Sequence, residues 1–159
     1  MQLTDFFNDH DFTLGTAESI TGGAIAKAIS SVPGSSRYFK GGIVAYATDV
    51  KCSVLHVGIS TIEKYGVVSR EVAESMAIGC REVMKVDFAI ATTGIAGPSG
   101  GTEKVPVGTV CFSVAGPHGC TSWIHYLEGN RSEVVDSSVD KGLQYLKESL
   151  KSFTASLGR

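Results

Sequence analysis

Three short segments of the chain gather the side chains that could do chemistry. The first is Ala17-Glu18-Ser19-Ile20-Thr21-Gly22-Gly23, where strand-forming residues run into a glycine pair and then into apolar residues at helical spacing. A serine at such a strand-to-helix turn is presented at the rim of a sheet, beside free first-turn N–H groups that suit an anion or oxyanion. The same residues also describe a plain helix cap, with Ser19 or Thr21 bonding those N–H groups. On local pattern alone the cap is the simpler reading, because neither the Gly-x-Ser-x-Gly elbow nor the P-loop pattern is present.

The second segment, Tyr46-Ala47-Thr48-Asp49-Val50-Lys51, places a lysine in the first turn of a helix, the wrong sign for the helix dipole. Such a lysine is either a solvated surface residue, the commoner case, or a general base whose pKa burial lowers from about 10.4 to roughly 7 to 8. The third is Thr92 to Gly101, in which Gly94, Gly97, Gly100 and Gly101 make a backbone surface that a ligand can approach closely. Gly129-Asn130-Arg131 adds an arginine at a helix start, which reads equally as an exposed side chain or as a fork for phosphate. His10, His56, His118 and His125 show no ligand spacing, so no metal and no cofactor is expected.

These segments need a frame to bring them together. Thr13 to Glu18 reads as a strand, and the helix carrying Ile25, Ala28, Ile29 and Val32 stops at Val32-Pro33-Gly34. Gly42 to Tyr46 is a continuous apolar run of buried-strand length, followed by a short helix over Thr48 to Leu55. Ser60 and Glu63 have capping-box spacing for a helix ending near Gly66. Ser69 caps the clearest helix, with Val72, Ala73, Met76, Ala77, Cys80, Val83 and Met84 on one stripe. Phe88 to Ala91 is a buried strand. Val107 to Ala115 and Thr121 to Leu127 form a hairpin about Gly116-Pro117-His118-Gly119, and Asn130 with Glu133 opens a last helix striped from Val134 to Leu150. Early alternation and a late hairpin predict an α/β domain spanning 1–159: three layers, α/β/α, around a mixed, mostly parallel sheet of about five strands. In such sheets ligands bind beyond the carboxyl ends of the parallel strands.

The bulk numbers exclude other classes. A chain of 159 residues, 43% hydrophobic and 19% charged, has the composition of one globular domain. Fourteen basic against sixteen acidic residues leave no surplus for a nucleic-acid partner. No apolar stretch approaches a membrane span, and Met1 to Asp11 has no leader pattern, so a cytoplasmic protein is expected. Cys52, Cys80, Cys111 and Cys120 lack paired spacing and read as free thiols. The 19 glycines, about 12% against the usual ~7%, are clustered rather than spread as linker.

Taken in order, Ala17 to Gly23, Val32-Pro33-Gly34-Ser35-Ser36, Gly42 to Tyr46, Gly66-Val67-Val68-Ser69, Thr93-Gly94-Ile95-Ala96-Gly97-Pro98 and Pro106-Val107-Gly108-Thr109-Val110 resemble the C-terminal domain of the CinA family. The resemblance covers nearly the whole chain. It implies a stand-alone nicotinamide-nucleotide amidase, converting nicotinamide mononucleotide to nicotinic acid mononucleotide and ammonia, and a homodimer or higher homo-oligomer. It also implies Ser19 as nucleophile and Lys51 as its base, with substrate contacts from Thr21, Gly22, Gly23, Tyr46, Thr48, Thr93, Gly94, Ala96, Gly97 and Arg131. In that picture the N–H groups of Thr21 to Gly23 hold the oxyanion, the Thr93 to Gly97 loop cradles the nucleotide, and Arg131 meets its phosphate. The family usually has cysteine at Ile20 and a Ser-Asn-Glu stretch at Ala47-Thr48-Asp49. The alternative is a catalytically inactive nucleotide-binding paralogue linked to competence or DNA-damage responses.

Overall fold

The computed structural model describes residues 2–158. Along the chain run α1 (Leu3–His10), β1 (Leu14–Glu18), α2 (Ala24–Ser30), β2 (Phe39–Val44), α3 (Thr48–Leu55), α4 (Ile59–Tyr65), α5 (Arg70–Met84), β3 (Phe88–Gly94), β4 (Thr109–Gly116), β5 (Gly119–Tyr126) and α6 (Arg131–Leu157). The five strands form one sheet in the order β2-β1-β3-β4-β5. β1 pairs in parallel with β2 and β3, while β3–β4 and β4–β5 are antiparallel, so four strands point one way and β4 is reversed. Helices α1, α2 and α6 pack on one face, and α5, with α3 and α4 against it, covers the other.

Period-two alternation decides what each face presents. On β1 and β3, Leu14, Phe88 and Ile90 turn to the α2/α6 side, whereas Ala17, Ala89 and Ala91 turn to α5. The small residues let α5 lie close to the sheet. On α5 itself, a Cβ at Gly79 would fall on the Leu55 carbonyl oxygen, so this glycine is what allows α3 to dock. At the amino ends of β1 and β3, Phe6, Phe12, Phe88 and Phe153 form an aromatic cluster with ring centroids 5.2–6.2 Å apart, joining α1 to the far end of α6.

Several boundaries differ from the sequence reading. α1 was not anticipated; its two buried side chains, Phe6 and Phe7, are too few to set a periodicity. β2 begins at Phe39 and stops at Val44, and as an edge strand it alternates half-buried and exposed residues rather than being buried throughout. α4 starts after Gly58 with no side-chain cap, so the box expected from Ser60 and Glu63 does not form. Ser69 does cap α5 by accepting from the Val72 N–H, and Asn130 and Glu133 close a capping box on α6, which runs on to Leu157. All four cysteines are free. No helix among the described residues is long and apolar enough to cross a membrane.

Candidate active site

Ser19 sits just past the end of β1, where the alternation that sends Glu18 to the α2 side sends Ser19 to the α3 side. Its N–H donates to the Thr92 carbonyl at 3.0 Å, extending the β1–β3 pairing by one residue. Lys51 reaches the same point from the first turn of α3, 32 residues further along the chain. Its Nζ lies 2.9 Å from Ser19 Oγ, 2.8 Å from the Ala45 carbonyl and 3.1 Å from the Tyr46 carbonyl. Both side chains are buried, Lys51 to 1% and Ser19 to 7% relative exposure.

The two carbonyls can only accept, so they take two N–H bonds of Nζ. The third direction of Nζ faces Ser19 Oγ, which accepts from the ammonium form and gives its proton to the lone pair of the neutral amine. Burial pushes the Lys51 pKa down from its ordinary value near 10.5, opposed in part by the nearby Cys52. Among the described residues no carboxylate is hydrogen-bonded to Nζ. The surface reading of Lys51 and the cap reading of Ser19 are therefore both set aside: neither side chain is solvated, and each is the other's partner.

A cavity of about 190 Å³ opens over this pair, lined by Ser19, Ile20, Tyr46, Thr48, Lys51, Val67, Val68, Thr93, Gly94, Ala96 and Arg131. It lies at the carboxyl ends of β1, β2 and β3. Arg131, the first residue of α6, braces its mouth: one guanidinium nitrogen donates to the Gly97 carbonyl at 2.8 Å and another to the Tyr46 hydroxyl at 2.9 Å. Gly97 thus meets Arg131 through its carbonyl without lining the cavity.

Thr21, Gly22 and Gly23 stand apart from the cavity. The cause is Glu18, whose importance the sequence reading missed. Buried to 1% exposure, its carboxylate accepts from the Ile25 and Ala26 N–H groups at 2.9 Å each, from Thr21 Oγ1 at 2.7 Å and from Thr16 Oγ1 at 3.1 Å. The first-turn donors of α2, expected to face an oxyanion, are instead satisfied by this internal anion on the opposite face of the sheet. Gly22 N–H donates to the Ser19 carbonyl, closing the turn, and the positive φ of Gly22 and Gly23 makes that turn possible. The Thr21 hydroxyl, 2.9 Å from that of Thr92, extends the network to β3. An acidic residue before a glycine turn and a helix was the available signal. Val67 and Val68, before α5, also line the cavity, and their apolar side chains carry no sequence signal for such a role.

A larger cleft, about 260 Å³, lies at the other rim between the hairpin turn and the end of α6, lined by Phe88, His118, Cys120, Ser149 and Phe153 among others. Ser156 Oγ lies 3.2 Å from His118 Nδ1 in this cleft, but the contact is exposed and the serine proton goes to the Phe153 carbonyl at 2.6 Å rather than to the imidazole. Burial raises the pKa of the Cys120 thiol, away from thiolate chemistry. The buried serine–lysine pair lies in the smaller cavity.

The profile of the CinA C-terminal domain matches residues 1–150. A CinA-like protein of Geotalea uraniireducens is 46% identical over 132 residues, covering 83% of this chain and 31% of that protein. Another from Flavobacterium psychrophilum is 44% identical over 153 residues, 96% of this chain and 37% of that protein. The chain therefore spans about a third of the length of these curated relatives. Among solved structures, a competence-damaged protein (CinA) superfamily protein from Enterobacter cloacae superposes with a TM-score of 0.90 at 29% identity, covering 93% of this chain and 88% of that one. The competence/damage inducible protein CihA from Agrobacterium tumefaciens gives 0.86 at 36% identity, with 94% and 91% covered.

Proposed function

The chain belongs to the CinA C-terminal domain family, and from that premise we propose that it is an amidohydrolase converting nicotinamide mononucleotide to nicotinic acid mononucleotide and ammonia. The observation that carries the reading is the buried Ser19–Lys51 pair, with the lysine amine held by two carbonyls and turned to the serine hydroxyl. Serine is a weak nucleophile at its own pKa and needs an adjacent base, and a desolvated lysine is one.

Lys51 Nζ takes the Ser19 proton as Oγ bonds to the carboxamide carbon. The resulting ammonium returns that proton to the amide nitrogen as the C–N bond breaks, releasing ammonia and leaving an acyl-serine. Water then attacks the acyl carbon, gives its proton to Lys51, and the acid leaves as Ser19 is reprotonated. For the oxyanion, the Ile20 N–H, next to the nucleophile, has no backbone acceptor among the described residues. Arg131 retains donors beyond the two that brace the loop and suits the nucleotide phosphate at the cavity mouth.

Ammonia release from nicotinamide mononucleotide by the purified protein tests this. Release is expected, and Ser19→Ala and Lys51→Ala should each lower kcat by about 10³-fold or more. Tight nucleotide binding with no release by the parent protein would replace this reading with a non-catalytic binder, and equal rates in parent and Ser19→Ala would remove the nucleophile.

A further inference from the structure

Four hydroxyl-bearing side chains line the cavity, Ser19, Tyr46, Thr48 and Thr93. Tyr46 and Thr48 are exposed; Ser19 and Thr93 are buried, Thr93 to 1%. Because Glu18 pairs with Thr92 across β1 and β3, Ser19 and Thr93 are the next residues on adjacent parallel strands, and both turn to the α3/α5 side. Thr92 faces the other way, toward Thr21 and Glu18.

The Thr93 hydroxyl has one partner among the described residues, the Val67 carbonyl oxygen at 3.0 Å. A carbonyl carries no proton, so Thr93 is the donor in this bond, and what its Oγ1 retains for a ligand is acceptor lone pairs. A buried hydroxyl tied in this way is a one-sided group: it can accept, but it has no second proton to give.

Resting on the amidase reading, we propose that Thr93 is the specificity residue that distinguishes a carboxamide from a carboxylate at this site. A carboxamide NH2 brings N–H donors and satisfies Thr93 Oγ1. A carboxylate brings only acceptors and sets lone pair against lone pair in a desolvated place, which leaves a buried polar group unpaired. The same asymmetry acts twice in a turnover. It favours the amide on entry, and it weakens the hold on the acid once oxygen from water has replaced the amide nitrogen, so product leaves.

Calorimetric titration of Ser19→Ala, which cannot turn over, with nicotinamide mononucleotide and with nicotinic acid mononucleotide gives the ratio of the two Kd values. Adding the near-isosteric Thr93→Val should shift that ratio about tenfold toward the acid, while Thr93→Ser, which keeps the hydroxyl, should leave it within about twofold. Thr93→Ala carries the same expectation as Thr93→Val with less demand on packing. Equal weakening of both nucleotides, or an unchanged ratio, would overturn the role of Thr93 while ammonia release by the parent protein left the amidase reading standing. Failure of Ser19→Ala to bind either nucleotide, with no ammonia released by the parent, would overturn both.

Discussion

Lys51 is buried with carbonyls and a hydroxyl for company and, among the described residues, no carboxylate, and its titration follows from that. In the proposed amidase Lys51 works as a base only when neutral, so kcat should rise with pH along an acidic limb whose midpoint lies below the ordinary lysine value near 10.5, because burial lowers the pKa. Lys51→Arg keeps a cation at every pH and should not turn over at any of them, which a pH–rate profile checks. The same shift has a stability consequence of defined sign. Between the lowered pKa and 10.5 the unfolded chain binds a proton that the folded one does not, so stability rises with pH across that window. Below it the penalty of burying the ammonium is paid in full. Chemical denaturation from neutral pH to about pH 10 should show this rise in the parent and a flatter curve in Lys51→Met. None of this was legible from spacing. Ser19 and Lys51 are 32 residues apart, and only the parallel pairing of β1 with β2 brings their ends together.

At the scale of elements, the turn from β1 into α2 is held by an anion inside the protein. Glu18 satisfies two first-turn N–H groups and two threonine hydroxyls, and so fixes the bend on which Ser19 is carried. Glu18→Gln sets an amide NH2 against donors on one side of this network. It should destabilise the fold by about 2–3 kcal/mol in thermal or chemical unfolding and lower ammonia release, since the serine rests on the same turn. Helix and strand order could be read from periodicity, and so could the caps at Ser69 and Asn130, because those patterns are local. What could not be read was which way each strand-end side chain faces. That depends on register, and a one-residue alternation separates Glu18, which holds the helix, from Ser19, which faces the cavity. A glycine-rich turn before a helix reads as an open anion site until the preceding carboxylate is seen to fill it.

At the scale of the whole molecule, the sheet has two unlike rims. The cavity occupies the carboxyl ends of β1, β2 and β3, whereas the phenylalanine cluster about Phe88 occupies the opposite end and binds α1 to the last turns of α6. α6 begins at the cavity with Arg131 and carries Phe153 about 33 Å away along its axis. Residues 3 and 157 therefore both stand at the rim remote from the cavity. A tether joined to either of them leads away from the cavity mouth. Biotinylated at either terminus and captured on streptavidin beads, the protein should keep its mouth toward the bulk solution and release ammonia per molecule within about twofold of the free protein. Attachment through Thr48→Cys should block it.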